Sequence, residues 1–197
     1  MTEENQMVKE AEQIMPYVES TLKELGLSYE VRPSGLYLPE GQDRGIYVGE
    51  HLMRILPEDQ LEQEFREYSS EKPPINLGGF ADRAMDVVYL KEGPFCNVFI
   101  EAGHELGHIL SENIEDPVNE EAKAFAFQLA WQEAAHKTLG YTRGLVMDSI
   151  SSRLNDLPNN GSYQNHRQAY EIVRSLQKEG FPLMDLYQLF AEKEEVA

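Results

Sequence analysis

The chain has 197 residues, of which 41% are hydrophobic and 10% aromatic. This composition is typical of a folded globular protein, and the length suits one domain spanning residues 1–197. The 35 acidic residues outnumber the 17 lysines and arginines, and the formal net charge is -18. Such an acidic surface repels phosphate backbones, so we expect no nucleic-acid partner.

The sequence also indicates where the protein resides. No run approaches the roughly 18 apolar residues of a membrane span, and "MTEENQMVKEAEQ" at the N-terminus lacks the features of a secretion signal. The only cysteine, Cys96, lies in the apolar stretch "PFCNVFI", which favours a buried, inert thiol. We therefore expect a cytoplasmic protein with no membrane partner.

In the first half of the chain, apolar residues recur at steps of three and four over residues 4–26 and predict an amphipathic helix. Pro16 should start or kink this helix, and Gly26 should end it. Residues 27–51 are rich in β-branched and aromatic residues and predict two or three short strands. A short charged helix over 57–72, a loop over 73–80 and a strand over 84–90 follow.

The second half of the chain is helical by its pattern. One helix is predicted from Phe95 to about residue 112, and a second, after a polar turn, from about residue 118 to Gly140. Three further helical patterns cover about residues 142–156, 162–179 and 182–192. We therefore expect a helix-rich α+β domain with a small β-sheet in the N-terminal half.

The stretch "EAGHELGHIL" carries the strongest chemical signal in the chain. His104 and His108 are four positions apart, so on a helix their rings share one face and can bind one metal ion. Glu105 can take a proton from a water at that metal, as the general base of metal-assisted peptide hydrolysis does. Gly103 and Gly107 each weaken a helix by about 1 kcal/mol relative to alanine, which indicates a close approach there.

A catalytic zinc needs a third protein ligand. Metzincins supply a histidine six positions after the second one, but Ile114 stands there, and Ser111 replaces their glycine. An acidic ligand from the next helix remains, with Glu120 and Glu121 as candidates. Glu121 is favoured because it flanks the apolar stripe of that helix, although an ordinary acid at a helix N-terminus is the competing interpretation for both.

These residues resemble the ImmA/IrrE family of small gluzincin-type metallopeptidases, in "HELGH" at 104–108 and "EAKAFA" at 121–126. The resemblance covers about residues 85–130. It implies a zincin-like fold with an HExxH active-site helix, zinc bound by His104, His108 and Glu121, and Glu105 as base. It also implies a regulatory protein as substrate.

The chain departs from the family in Lys123, which replaces a short polar residue, and in lacking the proline that commonly ends the second helix. Within these 197 residues we expect no copy of the helix-turn-helix neighbour that is frequent in the family. A peptidase usually adds a hydrogen-bond donor for the oxyanion, and Tyr163 and His166 are the candidates, with Tyr141 and His136 behind them. His51 is expected to be structural or at the surface.

Three hypotheses follow from the sequence. The first is a zinc-dependent endopeptidase that acts on a specific intracellular protein or peptide, although histidine and carboxylate ligands also accept manganese or iron. The second is a regulatory binding protein without catalysis, which captures a basic partner on its acidic surface. The third is a helical interaction domain that binds no metal.

Overall fold

The computed structural model describes residues 6–35, 37–38, 41–42, 45–69, 73, 77–139 and 162–192. Within these ranges the chain is a mixed α+β structure whose strands all lie in the first half, as predicted from the sequence. The predicted helix over 142–156 lies outside the described residues. No helix among the described residues is long and apolar enough to cross a membrane.

Six α-helices are present in the described part of the chain. They are α1 (Met15–Glu24), α2 (Glu58–Tyr68), α3 (Phe95–Ile109), α4 (Pro117–Leu139), α5 (Ser162–Lys178) and α6 (Leu183–Ala191). Prolines stand at or just before the start of most of them, where a missing N–H costs little. Five of the six correspond to predicted helices to within a few residues at most ends.

Nine short strands accompany the helices in the described residues. They are β1 (Met7–Val8), β2 (Val31–Pro33), β3 (Tyr37–Leu38), β4 (Gly41–Gln42), β5 (Ile46–Val48), β6 (His51–Leu56), β7 (Gly79–Asp82), β8 (Val87–Lys91) and β9 (Gly93–Pro94). The main sheet has the order β2-β5-β6-β8-β7, in which only β6 and β8 run parallel. Strands β2 and β7 are therefore its edges.

Of the two roles expected for Pro16, it starts the first helix rather than kinks it, so the described residues before Met15 do not belong to that helix. Met7 and Val8 form β1, which pairs with Gly93 and Pro94 of β9, and a short 3-10 helix follows before α1 begins at Met15. Pro16 explains the late start, because proline is tolerated in the first turn of a helix and not in its interior. The buried Val8 and Ala11 mimic helical spacing through a strand and a turn.

The main sheet is covered on both faces. Alternate residues of β8 point to opposite sides: Val88 and Leu90 join the large core under α1, α3 and α4, while Val87 and Tyr89 join a smaller cluster under α2. Helix α3 packs against β7 and β8 on the large-core side. This arrangement places α3, with both histidines, beside an edge strand of the sheet.

Candidate metal centre

Helix α3 presents the two histidines and the glutamate to the interior. The rings of His104 and His108 lie 4.9 Å apart between centroids, on one face of the helix. His104 is 6% exposed and Glu105 5% exposed, so neither side chain is a surface group. The histidine spacing therefore produces the shared face that the sequence predicted.

Helix α4 brings Glu121 to this face. Its Oε2 atom lies 3.4 Å from His104 Nε2 and 3.8 Å from His108 Nε2. One atom from each of these three residues lies within 4.8 Å of the others. Ligand atoms around a tetrahedral zinc are about 3.3 Å apart, so this His–His–Glu group could hold a metal ion.

The chemistry of the donors fits zinc. Glu121 Oε2 is buried and lies 3.2 Å, 3.4 Å and 3.8 Å from ring nitrogens of His166, His104 and His108, so a cation among these atoms would balance its charge. Two imidazoles and one carboxylate form one of the known ligand sets of catalytic zinc, in which a fourth position stays open. Manganese and iron accept the same donors.

Two glycines allow α3 and α4 to approach closely enough to form this group. A Cβ atom on Gly107 would lie 2.9 Å from the Ala124 Cα atom, and one on Gly103 would lie 2.7 Å from the Trp131 ring. Both distances are shorter than real Cβ contacts. The expectation of a close approach at these glycines is confirmed, and the approaching element is α4.

Burial and charge shift the pKa values of the three groups. Burial alone would lower the pKa of His104, but its contact with Glu121 and the charges of Glu105 and Glu101 raise that pKa to about 9. Burial would raise the pKa of Glu121, but the surrounding histidines hold it at about 2. Burial lowers the pKa of His108. The carboxylate is thus held ionised, ready for a cation.

Glu105 differs from Glu121 although both are buried. Burial raises the pKa of Glu105 to about 8, with the charge of His104 opposing the shift and those of Glu101 and Glu121 adding to it. A general base needs a pKa near the working pH rather than far below it. Burial thus makes the protonated form of Glu105 accessible, which a group that accepts and then releases a proton requires.

Glu120, the other candidate ligand, faces a different side of the histidine pair. Its Oε1 atom lies 2.8 Å from His108 Nδ1, the ring nitrogen opposite the one that faces Glu121. The geometry thus brings Glu121 into the His–His–Glu group and puts Glu120 behind His108. The apolar stripe favoured Glu121 from the sequence, but nothing in the sequence indicated the contact that Glu120 makes.

The structure brings one of the two predicted oxyanion donors to the group. His166, in the first half of α5, has its Nε2 atom 3.2 Å from Glu121 Oε2 and its ring 6.1 Å from that of His104. The side chain of Tyr163 and all of Tyr141 lie outside the described residues. His136 is exposed near the end of α4 and is not part of this group.

Other residues also surround the group. The ring of Phe125 packs 4.7 Å from that of His104, which keeps this side of the site apolar. Arg83, in the turn between β7 and β8, reaches Glu120 and the end of α3. No pattern in the sequence singled out Arg83. Of two other residues singled out in the sequence, Cys96 is only half-buried rather than buried, and His51 has its Nδ1 atom 3.6 Å from Asp86.

The chain was compared with protein-family models, with curated proteins and with solved structures, and no match was found. The resemblance to the ImmA/IrrE family therefore stays a prediction from the two sequence motifs.

Proposed function

We propose that this chain is a zinc-dependent endopeptidase, of the ImmA/IrrE type, which hydrolyses peptide bonds in a specific intracellular regulatory protein. One observation carries the proposal. His104, His108 and Glu121 converge within 4.8 Å, and Glu105 is buried directly after His104 on the same helix. A structural metal site has no need of such a glutamate.

Zinc, when bound by His104, His108 and Glu121, supplies Lewis-acid polarisation of the scissile carbonyl and activation of water. Glu105 takes the proton of the attacking water and passes it to the amide nitrogen that leaves. The burial of Glu105 keeps its protonated form stable enough for this transfer. The carboxylate of Glu121 stays ionised throughout, because its pKa is about 2.

His166 is the proposed donor to the oxyanion. Its position 3.2 Å from Glu121 Oε2 puts it next to the metal group, and it is 30% exposed on its side chain, so a substrate can reach it. A donor aimed at developing negative charge is typically worth roughly 10²–10³ in rate. Tyr163, which precedes His166 on α5, stays an alternative donor.

Strand β7 offers a place for the substrate main chain. It is an edge of the described sheet, its inner side pairs with β8, and α3 packs beside it. An extended peptide that pairs with a free strand edge gains main-chain hydrogen bonds. A peptide bound there would run alongside the helix that carries Glu105.

The test uses a proteome-derived peptide library, with new N-termini counted by mass spectrometry. We expect the zinc-loaded wild type to cleave a narrow set of sequences. Glu105→Gln should bind zinc normally, but its cleavage rate should fall by a factor of roughly 10²–10⁴. His166→Asn should retain zinc and lose a smaller factor. Glu112→Gln, whose side chain is exposed, is the matched control and should cleave like the wild type.

Two results would contradict this proposal. Full cleavage by Glu105→Gln would remove the assigned base. A wild type that binds one zinc per chain but cuts no peptide in the library would leave a binding protein, whose acidic surface captures a basic partner, as the better account.

A further inference from the structure

Glu120 lies behind His108, where its carboxylate accepts hydrogen bonds from several elements of the fold. Its Oε1 atom lies 2.8 Å from His108 Nδ1 and 3.0 Å from Arg83 Nη2. Its Oε2 atom accepts from Lys123 Nζ at 2.8 Å and from the backbone N–H of Ile114 at 2.9 Å. Both carboxylate oxygens are thus occupied by two donors each.

The two cations that hold Glu120 are themselves fixed to the end of α3. Lys123 is 0% exposed, and its ammonium also donates to the Glu112 carbonyl at 2.7 Å. Arg83 donates to the Ser111 carbonyl at 2.8 Å and to the carbonyl of His108 itself. A buried lysine is rare unless its charge is paired. Glu120 provides that pairing.

The contact with Glu120 determines which nitrogen of His108 faces the metal group. A carboxylate accepts hydrogen bonds only, so His108 Nδ1 carries the proton in this contact. Nε2 is then the nitrogen with a free lone pair, and it is the atom 3.8 Å from Glu121 Oε2. The outer partner of a ligand histidine commonly fixes its tautomer and ring orientation in this way.

We propose that Glu120 is a positioning residue for the metal centre: it holds His108 as the Nδ1-protonated tautomer, and Arg83 and Lys123 hold Glu120 in place. This inference rests on the metal site of the proposed function and goes beyond its ligands and base. It also assigns a role to Lys123, the residue that departs from the family pattern.

An acid in the first turn of α4 has an ordinary structural role as well, because it complements the helix dipole. Such an acid normally faces solvent, whereas the Glu120 side chain is 13% exposed and contacts a ligand histidine. Its bond to the Ile114 N–H also ties down the turn before α4. The experiment must therefore separate a positioning role from a purely structural one.

The experiment measures zinc affinity by chelator competition in the full-length chain, and the visible spectrum of the Co²⁺-substituted protein. Glu120→Gln keeps the shape of the side chain but removes its charge. We expect zinc affinity to fall by about 10–100-fold and the Co²⁺ spectrum to change. Asp116→Asn is the control. Asp116 accepts a hydrogen bond from the Asn119 N–H, and asparagine can keep this cap while it removes a charge from the same helix start. This variant should change neither the zinc affinity nor the Co²⁺ spectrum.

A second measurement needs no variant. In the zinc-loaded wild type, ¹⁵N spectra of the imidazole groups should show His108 protonated at Nδ1 and bound to zinc through Nε2. Metal on Nδ1 would overturn the proposal even if Glu120→Gln failed to fold. Equal zinc affinity and equal Co²⁺ spectra in wild type and Glu120→Gln would overturn it as well.

The outcomes separate this inference from the proposed function. If the wild type binds no zinc, both fail together. If it binds zinc and Glu120→Gln binds it equally well, only the positioning role fails. If zinc affinity and tautomer behave as expected but no peptide is cleaved, the positioning role holds and the endopeptidase assignment fails.

Discussion

The neighbouring Glu120 and Glu121 have different environments although they share one helical turn. Glu121 faces His104, His108 and His166, while Glu120 faces His108 from behind together with two cations. Both pKa values are held at about 2, against the effect of burial, because each carboxylate lies among positive or protonatable groups. One residue step along α4 thus separates a candidate ligand from a residue that orients a ligand.

Only the part of the candidate site that depends on local residue spacing could be predicted from the sequence. The interval between His104 and His108 fixes a shared helical face, and the glycines beside them signal a close neighbour. Arg83 lies more than twenty residues away in a hairpin turn, so no local periodicity connects it with His108. His166 was named as a candidate from its residue type, but its distance from Glu121 depends on the packing of α5.

The buried hydroxyl of Tyr187 makes the stability of the fold depend on pH in the alkaline range. Burial raises the pKa of its hydroxyl to about 12 from the ordinary value of 10.0, and its ring packs 5.0 Å from that of Phe127. The folded chain therefore keeps this proton in a pH range where the unfolded chain loses it. The stabilising contribution is complete below about pH 10 and is lost as the pH rises toward about 12.

We therefore expect the free energy of unfolding of the wild type to fall more steeply than that of Tyr187→Phe between about pH 10 and 12, by roughly 2 kcal/mol in total. Urea unfolding of both proteins across this range is the measurement. Parallel curves for the two proteins would show that the Tyr187 hydroxyl titrates alike in folded and unfolded chains.

At the scale of elements, the contact between α3 and α4 builds the site. The small residues Gly107 and Ala124 let the two backbones meet, and the indole N–H of Trp131 donates to the Phe99 carbonyl at 3.0 Å, on the same pair of helices. Gln128 donates to the Ile100 carbonyl in the same way. These contacts set the distance between the histidines of α3 and Glu121 of α4.

Gly107→Ala tests this contact. Alanine is the better helix former, but its Cβ would lie 2.9 Å from Ala124 Cα, which is backbone and cannot rotate away. We expect a net loss of about 1–3 kcal/mol in the free energy of unfolding, together with weaker zinc binding. Gly93→Ala is the control, because its Cβ would meet only Val98 Cγ2 at 3.8 Å. Equal stability of Gly107→Ala and wild type would contradict the close approach.

The strands that the sequence did not predict depend on pairing with other strands more than on a pattern of their own. Strand β7 begins in "NLGGF", where two glycines indicate a loop. It forms because it pairs with β8. Glycine suits position 79 in this pair, because the Cβ atom of any other residue would lie 2.7 Å from the Tyr89 carbonyl oxygen. Strand β6 had no assignment and is central to the sheet through its pairing with β5 and β8. Strand β7 therefore depends on a hairpin partner, and β6 depends on a hairpin partner and on the more distant β8.

At the scale of the whole molecule, the fold class followed from hydrophobic periodicity, and the described residues have the expected helix-rich α+β arrangement. The sheet order could not be predicted, since it depends on which strands pair and not on the pattern within each strand. The acidic balance predicts that nucleic acid is not a partner, and this stays a prediction. The net charge does not by itself distinguish an endopeptidase from a binding protein. Measurements on the metal centre are therefore needed to distinguish them.

The most direct test of the account is the metal content of the protein. The chain is purified without a histidine tag, and zinc, manganese and iron per chain are determined by elemental analysis beside a His104→Ala variant. We predict close to one zinc per wild-type chain and its loss in the variant. A wild type that holds no metal after zinc is added and excess removed by dialysis would contradict the metal centre and every role assigned around it.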